Sequence, residues 1–312
     1  MLRILYHPLR IARIIWVLAR HDALYWPEWM SDSAVVRWPL RVWRRRRGLS
    51  DRPGERLAQA LQGLGPTFVK LGQALSTRGD ILGEAIATDL ATLQDRVPAF
   101  EGAAVVVSQA LGTDLSTRFT EFATTPVAAA SIAQVHFAVT TEGEPVAVKV
   151  LRPGVERRFE RDLSLFAWIA WLVHALFPSA SRFRPREVVA VFARSVRVEL
   201  DLRLEAAAAA ELAENFEDHP GFHVPSVDWQ RTSRRVLTLE RVEGLRIDNA
   251  AAIRAAGHDT QRIMGIAAEA FFRQVFVDGF FHADMHPGNV FVRPDGGLAV
   301  VDFGIMGRLD AK

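Results

Sequence analysis

The chain has 312 residues, 49% of them hydrophobic, enough to bury a core of more than one lobe. It holds no cysteine, which excludes disulfides and thiolate metal sites, and its formal net charge of +2 is too small to argue for a nucleic-acid partner. Of its 38 basic residues only three are lysine (Lys70, Lys149 and Lys312), so lysine stands out wherever it occurs.

The charge is concentrated at the start. Residues 1–47 carry ten arginines against three acids, and five of the eight tryptophans. After Pro8 the spacing predicts a helix over Leu9–Arg20, with Arg10, Arg13 and Arg20 on one side. Ile11, Ile14, Ile15, Val17 and Leu18 cover most of the rest. The apolar stretch is shorter than the roughly 20 residues a spanning helix needs. With Arg44 to Arg47 and the tryptophans, residues 1–50 read as an interfacial extension that meets an anionic membrane surface. The alternative is a helix packed on the body of the protein with a solvated arginine run. No cleavable signal peptide is visible.

Residues 51–113 read as helical, with segments at Glu55–Leu64, Pro66–Thr77, Ile81–Gln94 and Gly102–Leu111. Lys70 and Gln73 lie in the second. Residues 114–245 predict a mixed lobe with strands around Phe119–Phe122, Gln134–Val139, Pro145–Val150 and Arg235–Glu240. A helix at Gly154–Phe177 and one long helix over 185–216 are inserted between them. Residues 246–312 begin a second lobe, with Thr260–Val277 as its first long helix.

The chemistry sits on these elements in a fixed order. Lys149 lies in the strand segment Val146-Ala147-Val148-Lys149-Val150, where a buried-strand lysine needs a partner. An ammonium reaches between phosphates as a point charge, as in the N-lobe strand of a kinase. Asp284 and, five residues on, Asn289 match the spacing of a kinase catalytic loop, where the aspartate faces the acceptor and the asparagine binds magnesium. Val290-Phe291-Val292 and Leu298-Ala299-Val300 flank Arg-Pro-Asp-Gly-Gly, a hairpin signal, and lead into Asp302-Phe303-Gly304. Asn289 and Asp302 supply the oxygen ligands Mg2+ prefers. His282 and His286 flank Asp284 and read as loop-positioning groups. The 185–216 helix offers Glu199, Asp201 and Glu205; Asp201 and Glu205 are four apart and share a face. Glu205 is placed to hold Lys149, with Glu199 and Asp201 directed elsewhere, toward Lys70. Alternatively this is a solvated acidic face paired with Arg194, Arg197 and Arg203. Glu240-Arg241-Val242 is the candidate hinge that meets adenine through backbone groups.

One element departs from ordinary kinases. In place of a glycine-rich phosphate loop stands Ala128-Ala129-Ala130-Ser131. Alanine avoids positive φ, so this loop cannot fold over phosphates as glycine does.

These residues resemble the UbiB family, atypical kinase-like proteins of ubiquinone biosynthesis. The likeness rests on Lys70 to Gln73, the loop Ala128 to Ser131, Val-Ala-Val-Lys149, Glu199-x-Asp201, Glu205, Asp284 with Asn289, and Asp302-Phe303-Gly304. It implies a two-lobed α+β kinase-like fold that binds ATP and Mg2+. Lys149 contacts phosphates and pairs with Glu205, Asn289 and Asp302 hold magnesium, and Asp284 stands at the catalytic-base position. The Lys70–Gln73 helix, with Glu199 and Asp201, packs over the site in a regulatory role. It further implies an ATPase supporting ubiquinone-pathway enzymes or lipid precursors at the cytoplasmic face of a bacterial-type inner membrane. A phosphotransferase acting on a small molecule, lipid or protein, and a silent nucleotide-binding scaffold, are the alternatives. Only ten residues follow Asp302, so the second lobe is expected to be short of helices, including the C-terminal membrane helices of full-length relatives.

Overall fold

The computed structural model describes residues 2–23, 50, 52–91, 93, 98–176 and 178–309. Arg44 to Arg47, Trp26, Trp29, Trp38 and Trp43, on which much of the expected membrane-facing extension rests, lie outside them. The helices in chain order are α1 Leu2–Arg20, α2 Pro53–Leu64, α3 Pro66–Ser76, α4 Gly79–Leu82, α5 Glu84–Ala91, α6 Ala103–Leu111, α7 Val155–Leu176, α8 Pro185–Glu199, α9 Leu202–Asn215, α10 Ala250–Ala255 and α11 Thr260–Phe276. The strands are β1 Phe119–Phe122, β2 Ala128–Ala129, β3 Ala133–Thr140, β4 Pro145–Leu151, β5 Phe222–His223, β6 Val236–Glu240, β7 Leu245–Arg246, β8 Phe280–His282, β9 Val290–Val292, β10 Leu298–Val300 and β11 Met306–Arg308. They form two compact units: Met1–Val97 with Ala130–Ile132 and Gly154–Arg194, and Pro98–Ala129 with Ala133–Pro153 and Ser195–Lys312.

The first unit is helical. Gly65, at φ 111°, turns the chain between α2 and α3, and Pro66 opens α3 where its missing N–H costs nothing. Leu61, Leu64, Phe68, Leu90 and Leu93 bury together, joined by Val17 of α1. Each such side chain contributes roughly 1.5–3 kcal/mol. The ring of Phe166 on α7 meets Phe68 edge-on, with centroids 5.2 Å apart. The Arg10 guanidinium reaches Asp162 of α7 at 3.1 and 3.2 Å and donates to the Leu64 carbonyl at 3.2 Å. Two expectations are corrected here. The first helix does not start after Pro8 but runs through it. His7 contacts Trp168 and Ser164, and Arg10 pairs with Asp162, so α1 is fastened to α7 on both sides of the proline. The segment 81–94 is broken: Gly83, at φ 81°, separates α4 from α5.

The second unit opens with an antiparallel sheet ordered β1-β3-β4-β6, with β2 added to β3. Alternation on β4 sends Val146, Val148 and Val150 into a core with Val106 and Val107 of α6. Ala147 and Lys149 therefore face the opposite side. A second sheet, β5-β10-β9-β7, and the pair β8–β11 complete the unit. The expected single helix over 185–216 is two helices. Asp201 (φ −123°) leaves the helical region and caps α9, accepting from the Arg203 amide. The Leu202 amide is drawn to the Arg234 carbonyl at 3.0 Å. Asp201 and Glu205 thus do not share a helix face.

Candidate functional site

The site grows from β4. Lys149 pairs across the sheet with Val135 and Leu237. Its Nζ lies 2.7 Å from Glu205 Oε1 and 3.0 Å from Asp302 Oδ1. Glu205 sits in the first turn of α9 and its side chain is 7% exposed; that of Lys149 is 19% exposed and that of Asp302 50%. Three groups from three distant segments therefore meet as one ammonium between two carboxylates. Burial opposes the ammonium, but Asp302 and Glu205 outweigh it and hold Lys149 above the ordinary lysine range. Burial, with the Asp302 charge nearby, pushes the Glu205 carboxyl up to about 7 against the pull of Lys149. The Lys149 charge holds Asp302 down at about 2. One cation cannot neutralise two acids, and the more buried acid keeps its proton longer.

Asp302 is held in a demanding shape. Its φ of 68° lies in the left-handed region, which aspartate tolerates better than most residues. Its Oδ1 also accepts from the Gly304 amide at 3.3 Å. A Cβ at Gly304 would stand 3.3 Å from that oxygen and 3.9 Å from Glu205 Oε2, so glycine leaves the carboxylates their room.

The catalytic-loop residues are pinned to the same place. The Val301 amide donates to the Asn289 carbonyl at 2.9 Å, setting Asn289 one residue from Asp302. The Asn289 side-chain amide donates to the Asp284 carbonyl at 3.4 Å, which leaves its Oδ1 as an open acceptor among the described residues. β8 and β11 pair antiparallel, and the Ala283 amide donates to the Ile305 carbonyl at 3.0 Å. His282, buried, joins the two loops. Its Nδ1 accepts from the Asp284 amide at 3.2 Å, so Nε2 carries the hydrogen that reaches the Asp302 carbonyl at 2.8 Å. His286 accepts from the Gly288 amide. Gln274, on the buried stripe of α11, accepts from the His282 amide at 2.8 Å. It was not among the sequence candidates, although a glutamine four residues after buried Ala270 is a legible signal.

The other candidates divide. Ala128 and Ala129 form β2, paired with Val135 and Gln134. Ser131 is buried and its hydroxyl has no partner among the described residues. At the hinge, the Glu240 amide donates to the Ser226 carbonyl and the Arg241 amide to the Pro145 carbonyl. The Glu240 carboxylate meets His223 Nε2 at 2.9 Å and the Ser226 amide at 3.1 Å, and the His223 contact holds it below the usual range. Val242 follows, half-buried, and Gly244 passes so close to β9 that a Cβ would stand 2.6 Å from the Val292 carbonyl oxygen. Asp201 is engaged by Arg203 at 2.6 and 2.9 Å, one of the local pairings the sequence left open, and Glu199 ends α8. In the first unit, Gln73 donates to the Leu93 carbonyl at 3.3 Å, Lys70 lies on α3, and Gly72 lets α3 approach Leu61 and Leu93.

Among the described residues no group of three or more His, Cys, Asp or Glu is placed to hold a metal. Mg2+ takes few protein ligands, all oxygen, and keeps the rest for water and phosphates. Asp302 and Asn289 offer such oxygens side by side on neighbouring loops of the second unit.

The chain is similar to known proteins over most of its length. Residues 92–312 match the ABC1 atypical kinase-like domain. The probable protein kinase UbiB of Marinobacter nauticus is 41% identical, over 96% of this chain and 56% of its own length, so the chain spans just over half of that relative. The solved structure of Rv3197 from Mycobacterium tuberculosis, in complex with erythromycin, superposes with a TM-score of 0.57 at 32% identity, covering 77% of this chain and 59% of that one. With its mixed helices and sheets the fold is kinase-like α+β, and the chain belongs to the UbiB family of ABC1 atypical kinase-like proteins.

Proposed function

We propose that this chain binds ATP with Mg2+ and hydrolyses it in support of ubiquinone biosynthesis, acting peripherally at the cytoplasmic face of a bacterial inner membrane. The observation that carries the reading is the meeting of Lys149, Glu205 and Asp302 beside Asn289 and Asp284. In it, Lys149 contacts phosphates and is aimed by Glu205. Asp302 and Asn289 would hold Mg2+, which would neutralise charge on the phosphates. Asp284, exposed on its loop, is assigned the role of base for the attacking nucleophile. Backbone groups of Glu240 and Val242 meet the adenine, and Ala128 to Ser131 border the phosphates. The stiff alanine strand disfavours the glycine-loop pose, and with it protein phosphorylation. Lys70, Gln73, Glu199 and Asp201 are assigned a regulatory role.

The membrane part draws on α1. Leu9, Arg13, Trp16 and Arg20 lie exposed at helical spacing, and the Arg20 guanidinium covers the Trp16 ring at 5.4 Å. No described helix is long and apolar enough to cross a membrane. An anionic lipid surface and ubiquinone-pathway enzymes or lipid precursors are the proposed partners, and nucleic acid is not.

The test is phosphate release from ATP and magnesium, with and without anionic liposomes, for the wild type and Lys149→Arg. Release that rises with liposomes and is lost in the variant is expected. Transfer to an added lipid or protein in place of water would favour a phosphotransferase. Bound nucleotide with no release under any condition would favour a scaffold.

A further inference from the structure

The end of α7, the turn Pro178–Phe183 and the start of α8 all belong to the first unit and border an open cleft of about 490 Å³. That size falls in the range of small-ligand sites. His174, Ser181, Arg184, Arg186 and Glu187 line it. Ser181 Oγ lies 3.2 Å from His174 Nδ1, closing one side. Arg184 reaches Glu187 at 3.2 Å, but both side chains are about two-thirds exposed or more, so the pair is weak and exchangeable. Among the described residues Arg182 and Arg186 have no acidic partner. From 171 to 194 the sequence holds four arginines and a single acid.

The same elements expose apolar side chains. Trp171, Leu176, Phe183, Val188 and Val191 are each about half exposed or more. The Arg182 guanidinium lies over the Phe183 ring at 4.7 Å, a cation joined to an aromatic as at a membrane interface. Arg184 is also strained: its φ of 46° is a conformation glycine takes freely and arginine does not. Nothing in the proposed nucleotide site uses any of these residues.

We infer that this tip docks on an anionic phospholipid surface, the cleft taking a phosphate-bearing headgroup while the apolar side chains enter the interface. Charge complementarity commits the occupant: a cationic cleft with surplus arginines beside exposed Trp, Phe and Leu matches an anionic lipid better than an apolar protein groove. The inference rests on the proposed membrane role and adds a second contact surface to α1.

The experiment is flotation of the full chain, without nucleotide, on vesicles of phosphatidylglycerol with phosphatidylcholine, and on phosphatidylcholine alone. The wild type is compared with Arg184→Gly/Arg186→Glu. Glycine relieves the φ strain at 184, so the fold is kept, and unchanged melting and nucleotide binding confirm it. At about fivefold per cation near an anionic surface, the variant should partition at least 25-fold more weakly. Phe183→Ser should also weaken binding. A variant that floats like the wild type overturns the tip and leaves α1 as the anchor. Equal flotation on neutral vesicles overturns the headgroup role. Absence of wild-type flotation overturns both the tip and the membrane reading, while nucleotide binding tests the ATP reading separately. Phosphate binding lost in the variant, with vesicle binding unchanged, would make the cleft a site for free phosphate and overturn the lipid.

Discussion

Glu205→Gln isolates the electrostatics of the site. The Glu205 carboxyl titrates at about 4.5 in the unfolded chain and at about 7 in the folded one. Its folded value is raised, so its proton is held more tightly in the native state. The ionised group therefore lowers stability: the penalty is absent below pH 4.5, grows as pH rises toward 7, and is complete above it. At about 1.4 kcal/mol per pH unit the penalty reaches about 3 kcal/mol. Asp302 works in the opposite sense, since its folded value is depressed, but its contribution is lost only as pH falls toward 2, outside this window. Glutamine keeps the shape and removes the titration. Urea unfolding of both proteins between pH 4.5 and 7.5 should show their stability difference moving by about 3 kcal/mol in favour of the variant. Nucleotide turnover should fall, because Lys149 loses its aim. A difference that stays flat, or moves toward the wild type, would mean that Glu205 ionises as an ordinary stabilising partner of Lys149, and the account of one cation between two acids would be wrong.

Arg10→Met strands Asp162, whose side chain is 7% exposed, and should cost about 3–5 kcal/mol in urea unfolding; a cost below about 1 kcal/mol would show that Asp162 finds water instead. His282→Phe removes the link between the Asp284 amide and the Asp302 carbonyl, at about 1–3 kcal/mol for each stranded group. Nucleotide affinity in magnesium should drop with it, and unaltered affinity would mean that the two loops are held by other contacts. Gly72→Ala puts a Cβ 2.4 Å from Leu93 Cδ1 and 2.8 Å from Leu61 Cδ1 and should cost about 1–3 kcal/mol by thermal melting. A neutral result would move the requirement for glycine there from packing to function.

Local patterns carried much of the fold. The alternation of Val146, Val148 and Val150 marked β4 and fixed the face of Lys149. The Val290–Val292 and Leu298–Val300 runs around Pro-Asp-Gly marked their hairpin. The failures came where one residue decides against its neighbours. Asp201 interrupts a strongly helical run because its carboxylate caps α9, and helical periodicity carries no sign of that competition. Gly83 breaks a helix that would otherwise continue, and Pro8 does not break one because α7 holds both sides of it. The site was legible as a set of residue types in order. Its joinery was legible only in part: His282 read as a loop-positioning group, but its bond to the Asp302 carbonyl, the Gln274 contact with its amide and the Val301–Asn289 bond join separate elements, which spacing along the chain does not encode.

The lysine at position 149 has a geometric explanation in the structure. Four arginines here pair fork to fork with one carboxylate, Arg78 with Asp80, Arg203 with Asp201, Arg246 with Asp248, and Arg10 with Asp162, whereas Arg231 reaches two acids, Asp228 through Nη1 and Glu142 through Nη2. A planar guanidinium satisfies one carboxylate well and has its donors confined to one plane. Lys149 serves two acids from one nitrogen. Its Nζ serves Glu205 and Asp302, carboxylates from separate segments, and a tetrahedral ammonium has a third N–H left for a phosphate. Arginine at 149, longer and planar, would carry its charge past the point where the three groups meet and hold its donors in one plane, away from the converging directions that a single ammonium serves. That is why Lys149→Arg, which keeps the charge, is a sharper test than removing it: the variant changes only how one cation is shared, and the proposed turnover depends on that sharing.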